Sequence, residues 1–220
     1  LAESMDDYPE LKMINVLLVG DSLYDYLAML ALAFYSRNYA RVSSVESFDP
    51  GGEQNFYPMQ EFLQLNPPEP QTVSMHHEAF RLFQTVLRQH TAGQNQIALV
   101  RWDLQRLEYY YKMSSWESSY PIYEAALLAR AQELAGLAQA WVYRDLFTLH
   151  YELGIKYKPE VSEEYRESFI SAMEYYHKAI PYLDKNKTGL SSRSWSIREN
   201  EVKLIAPKYI APETPALIRV

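Results

Sequence analysis

The chain has 220 residues, 48% hydrophobic and 22% charged, with 21 Lys and Arg against 28 Asp and Glu for a net charge of −7. That length supports one substantial core, the acidic balance argues against a nucleic-acid-binding body, and no run approaches the ~18 apolar residues a membrane span needs. Cysteine is absent, which excludes disulfides, thiolate nucleophiles and cysteine-based metal sites.

The charge is uneven. Residues 185–220 carry seven Lys or Arg and three Glu, +4, which leaves −11 for residues 1–184. This predicts a single domain over 1–184 and a basic, Pro-punctuated extension over 185–220. That extension either lies on the acidic body or reaches a separate anionic partner. The chain opens on "LAESMDDYPE", with no Met, basic region or apolar stretch. The expectation is an upstream natural start with room for a removed leader or anchor, and an extracytoplasmic setting is favoured slightly over a cytoplasmic one.

In chain order, "MINVLLVG" (13–20) reads as a strand buried on both faces, ending in Gly. Asp21 or Ser22 can cap a helix from about Leu23 to Asn38, because their oxygens accept from free first-turn N–H groups. "ARVSSVESF" (40–48) reads as a second strand closed by the turn "DPGGE", and a helix over 53–65 stops before "NPPEP". "QTVSM" (71–75) is a short third strand, followed by a helix over 76–90 with Phe80, Phe83, Val86 and Leu87 on one face. "QIALVRW" (96–102) is a fourth apolar run, and 123–138 has high helix propensity. "AWVYRDL" (140–146) reads as a fifth strand, 162–183 as a long helix capped by Ser162, and "EVKLIA" (201–206) as an extra strand.

Strands alternating with helices predict an α/β fold, three layers α/β/α around a mostly parallel five-stranded sheet, with sites at the carboxyl ends of strands. Those ends include Arg101–Asp103 and Arg144–Leu146. The alternative is an all-α helical repeat, since several Tyr-, Ala- and Leu-rich segments are similar to tetratricopeptide helices. That family repeats at ~34 residues, whereas Trp102 and Trp141 stand 39 apart.

At "VGDSL" the chain resembles the SGNH, or GDSL-type, hydrolase family: Gly20, Asp21, Ser22 and Leu23 follow the first predicted strand. Its flavodoxin-like build would agree with the expected layers. The resemblance implies a serine esterase or O-acyltransferase acting on a carbohydrate or other envelope acyl ester, without cofactor or metal. Ser22 would be the nucleophile, and the N–H groups of Ser22 and Gly52, or less readily Gly51, the oxyanion hole. His76 joins these as a substrate-side candidate, and His150 with Asp145 would serve as base and orienter. The family's Gly-x-Asn-Asp block is replaced by "MHHE" (75–78), and its Asp-x-x-His spacing is missing near 145–150.

"MINVLLVGDS" also resembles the first strand of receiver domains, but with Asp21 alone there and His76 near the acceptor position, phosphorylation is not expected. Each candidate has a plainer role. Ser22 is an N-cap, and "HHE" (76–78) is a polar cluster at a helix start whose members diverge by about 100° and so cannot share a metal. His90 and His177 are surface residues. The 19 Tyr and four Trp serve stacking, a protein interface or the edge of the core. The competing function is a catalytically inactive α/β or helical-repeat scaffold that binds a protein partner.

Overall fold

The computed structural model describes residues 22–42, 52–66, 74–158, 160–161, 163–184 and 188–200. Among them are eight α-helices and no strand: α1 (Leu23–Val42), α2 (Met59–Phe62), α3 (Met75–Ala92), α4 (Gln96–Met113), α5 (Trp116–Glu133), α6 (Gly136–Lys156), α7 (Ser168–Ala179) and α8 (Leu190–Asn200). A 3-10 helix at Glu53–Phe56 precedes α2.

The three-layer α/β, flavodoxin-like or SGNH-like fold expected from the strand pattern is therefore overturned, and with it the hydrolase vocabulary attached to that fold. The all-α alternative has the right class. "QIALVRW" is the first part of an 18-residue helix and "AWVYRDL" lies inside one of 21. A seven-residue apolar run fits a buried strand and a buried helix turn equally, and the residues around it decide. Asn95 accepts from the N–H of Ala98 and starts α4, while the Leu-, Arg- and Gln-rich sequence that follows favours helix over strand. In the third predicted strand, Ser74 instead caps α3 by accepting from the N–H of His77, and Met75 begins that helix. Residues 40–42 of the second end α1. The predicted strands at 13–20 and 201–206, with the rest of 40–48 and 71–75, lie outside the described residues.

The helices were partly legible. The apolar face expected of 76–90 is buried, with Phe80, Phe83, Val86 and Leu87 each at most 1% exposed. The helix expected over 53–65 is split by Pro58 into the 3-10 turn and α2. That segment is clamped from inside. Arg106 of α4, 1% exposed, donates to the carbonyls of Asn55 and Tyr57, and its guanidinium sits 4.3 Å from the Phe62 ring. Asp103 holds the same guanidinium at 2.7 Å and Arg130 of α5 at 2.8 Å, so no charge in this cluster is buried without a counter-charge.

Connections of two residues join α4 to α5 and α5 to α6, which makes successive helices antiparallel and sets α4 parallel to α6. Equivalent helices of the hairpins α3–α4 and α5–α6 start 41 and 40 residues apart, by 116 − 75 and 136 − 96. One core lies among α1 to α6, and a second joins α6 to α7 and α8 through Phe147, Ala172, Tyr176, Leu190 and Ile197. Leu190–Asn200, within the predicted basic extension, thus packs as a helix.

Candidate functional site

Ser22 opens α1 as half of a capping box. Its Oγ accepts from the N–H of Asp25 at 3.1 Å, and Asp25 Oδ2 accepts from the Ser22 N–H at 3.2 Å and the Ser22 hydroxyl at 2.6 Å. Asp25 Oδ1 pairs with His90 Nε2 on α3 and accepts from Trp102 Nε1 on α4, each at 2.7 Å. Burial pushes the Asp25 carboxyl up, but the bonds from His90, Ser22 and Trp102 and the charge on His90 hold it below its ordinary value. His90, expected on the surface, is a buried partner in this network. A nucleophilic serine needs a base that takes its proton, and here the hydroxyl donates to a carboxylate already engaged on its other oxygen.

The other candidates stand elsewhere. Asp145 and His150 are both on α6, five positions and about 140° apart, so they face different neighbours. Arg144 Nε and Nη2 both donate to Asp145 Oδ1, at 2.8 and 2.5 Å, while His150 pairs with Glu124 of α5 at 2.9 Å. No hydrogen bond among the described residues links Ser22 to either. Gly52 precedes the 3-10 turn at φ −59°, an ordinary conformation, and Gly51 lies outside the described residues. His76 is fully buried against Tyr109, and burial drops its pKa to about 4, so it stays neutral. His177 is exposed on α7.

What the parallel pair α4 and α6 does form is a cleft of about 570 Å³, closed on one side by α8 and the residues before it. From α4 it takes Arg101, Glu108 and Lys112, and from α6 it takes Trp141, Arg144, Asp145 and Glu152. These positions recur at spacings of three, four and seven, the signature of one helical face. The two helices run in register. The guanidinium carbons of Arg101 and Arg144 each lie 4.7 Å from the Trp141 ring centroid, while the charge on Glu152 acts on Tyr111 at the other end. Tyr111 stacks on Tyr123 of α5 at 4.6 Å, forming part of the wall. From α8, Arg193 Nη1 donates to Thr148 Oγ1 at 3.1 Å.

Asp145 is the unusual member. It is 6% exposed, and its Oδ2 has no hydrogen-bond partner among the described residues. Burial, with Glu108 nearby, pushes its pKa up to about 6 against the opposing pull of Arg144. Arg101 entered the sequence reading only as a strand end, and Trp141 was missed as a cleft residue because 140–146 reads as a strand, whose side chains alternate between faces. The 3–4 spacing of the cleft residues was visible all the same. Among the described residues no group of three or more His, Asp or Glu side chains could hold a metal, and no helix is long and apolar enough to cross a membrane. Comparison with known protein families, with curated proteins and with solved structures finds no match.

Proposed function

We propose that this chain is a non-catalytic binding module, an all-α scaffold that captures a small polar partner or an exposed piece of one in the α4–α6–α8 cleft. The observation that carries this reading is Asp145, a buried carboxylate in the lining of a cleft of about 570 Å³, one of whose oxygens has no donor among the described residues at a cost of roughly 1–3 kcal/mol. The cleft has the size of a small-molecule site, and two of its cations, Arg101 and Arg144, converge on Trp141. Both support recognition. The Ser22 hydroxyl supports it from the other side, since it donates to Asp25, a carboxylate held below its ordinary pKa and therefore a weak acceptor of a serine proton.

The test is a binding screen read at the cleft. Amino acids, short peptides, dicarboxylates, sugar phosphates and neutral sugars are titrated while Trp emission and indole N–H resonances are followed, with Trp141→Phe identifying the cleft signal. At least one class should perturb Trp141 saturably. If none does, the reading fails. A fluorophosphonate probe is expected to leave Ser22 unlabelled, and labelling abolished by Ser22→Ala would overturn the non-catalytic reading.

A further inference from the structure

Arg144 is fixed in the cleft from two sides. Its guanidinium carbon lies 4.7 Å from the Trp141 ring centroid, and its Nε and Nη2 both donate to Asp145 Oδ1. Its Nη1 makes no hydrogen bond among the described residues. The two partners are unequally sheltered, for the Arg144 side chain is 25% exposed and that of Asp145 only 7%. A solute in the cleft therefore meets the guanidinium more readily than the carboxylate.

The charge beside it is what keeps Arg144 from taking an anion. As an ion pair the two groups cancel, and an incoming carboxylate or phosphate is repelled by Asp145 as much as it is drawn to Arg144. Asp145 can lose that charge without leaving its place. Its Oδ1 takes both donors from Arg144 and its Oδ2 takes none, so a proton on Oδ2 displaces no hydrogen bond among the described residues. Burial pushes the Asp145 pKa up to about 6, with the charge on Glu108 adding to burial and those on Arg144 and Lys112 opposing it. Mild acid and neutrality thus fall on opposite sides of its titration.

The other groups about the cleft are already engaged or lie apart. Glu108 and Lys112 of α4 pair at 2.5 Å, Arg101 of α4 lies 4.7 Å from the Trp141 ring centroid, and Arg193 of α8 donates to Thr148. Glu152 stands farther along α6 near Tyr111, and α5 contributes the Tyr123 hydroxyl, whose pKa burial raises. The lining therefore holds four cations against three carboxylates, and against two once Asp145 is protonated.

Resting on the binding reading above, we propose that the cleft takes a small oxyanion on Arg144 and that Asp145 is its gate. Charged, Asp145 neutralises Arg144 and shuts the site. Protonated, it holds the same guanidinium in place and leaves the positive charge, with its planar fork of donors, to the ligand. Arg144 is the binding residue and Asp145 a positioning residue. Anion binding and proton uptake then favour each other by the same factor.

The experiment uses the full chain and sulfate, a dianion whose charge is the same at pH 5 and pH 7.5. Binding is followed by Trp emission, with Trp141→Phe identifying the cleft signal, and by calorimetry. Sulfate should bind roughly tenfold more tightly at pH 5 than at pH 7.5, and calorimetry near neutrality in buffers of different ionisation enthalpy should show up to about one proton taken up per anion. Asp145→Asn, which fixes the neutral state, should bind sulfate at both pH values as tightly as wild type does at pH 5. Adding Arg144→Gln to that variant strands no buried charge and should abolish binding at both. His150→Gln removes the imidazole of α6 and should keep the wild-type pH dependence. Formate and methyl phosphate at pH 5 separate a carboxylate ligand from a phosphate, and tighter binding of either supports the assignment. Equal sulfate affinity at the two pH values, or a pH dependence that survives in Asp145→Asn, overturns the inference and leaves the binding module standing. So does saturable perturbation of Trp141 by neutral sugars or amino acids but by no anion. Silence from every compound at both pH values overturns the module as well.

Discussion

Asp25 and Asp145 are both buried, at 0% and 6% exposure, yet their surroundings displace them in opposite directions. Asp25 collects donors from three elements and titrates below its ordinary value. Its folded pKa lies below the unfolded one, so its contribution is present at neutral pH and is lost as pH falls from about 4 through the folded value. Asp25→Ala leaves the His90 and Trp102 donors buried without their acceptor, and about 2–4 kcal/mol of stability should disappear at pH 7. The loss should shrink below pH 3.5 in urea titrations followed by circular dichroism. Asp145 has the opposite sign. Its pKa of about 6 exceeds the unfolded value, so the stability tied to its proton is complete below about pH 4 and is lost as pH rises through 6. Asp145→Asn mimics the protonated group. The stability of this variant relative to wild type should therefore rise between pH 4 and pH 7, by on the order of 2–3 kcal/mol at 1.36 kcal/mol per pKa unit. A flat difference across that range would contradict it.

At the scale of elements, α6 matters most because it belongs to both cores. It meets α7 closely at Gly154, where an added Cβ would stand 2.6 Å from the Phe169 ring. Ala is the better helix former by ~1 kcal/mol, but the ring must shift out of a packed interface at a cost of typically 1–3 kcal/mol. Gly154→Ala should therefore lower the melting temperature, and adding Phe169→Leu should return part of the loss. A variant as stable as wild type would show that the ring moves freely. Such close fits cannot be read from a sequence, because Gly154 within "YELGIKYK" looks like any glycine near a helix end. What could be read were the helices with strong amphipathic pattern or caps, such as α3 with Phe80 and Phe83, and the start of α1 at Ser22. Misread were Gln96–Trp102 and Ala140–Leu146, short apolar runs whose periodicity is shared by strands, and the cleft went unseen with them. The cap of α1 was legible as a choice between Asp21 and Ser22, and the capping box with Asp25 falls to Ser22, which the GDSL resemblance had also offered as a nucleophile. The partners of Asp25, His90 and Trp102, 65 and 77 residues away, were beyond any local pattern.

For the whole molecule, the two cores share α6, so they should not melt separately. Unfolding in urea followed by far-ultraviolet circular dichroism and by Trp fluorescence should give superimposable transitions, and displaced midpoints would show that α7 and α8 open on their own. The far-ultraviolet spectrum should be dominated by helix.

The same long reach of Asp25 has a consequence for the newly made chain. The hairpins α3–α4 and α5–α6 close over turns of two or three residues, contacts that form early and cheaply. Although α1 precedes them in the chain, the donors that satisfy its aspartate are completed only when His90 and then Trp102 have been synthesised. Until α3 has been made, the apolar face of α1 at Ala28 and Leu32 lacks the helix it packs against. The first of the described helices is thus completed by a hairpin translated after it, so its assembly runs against the direction of synthesis.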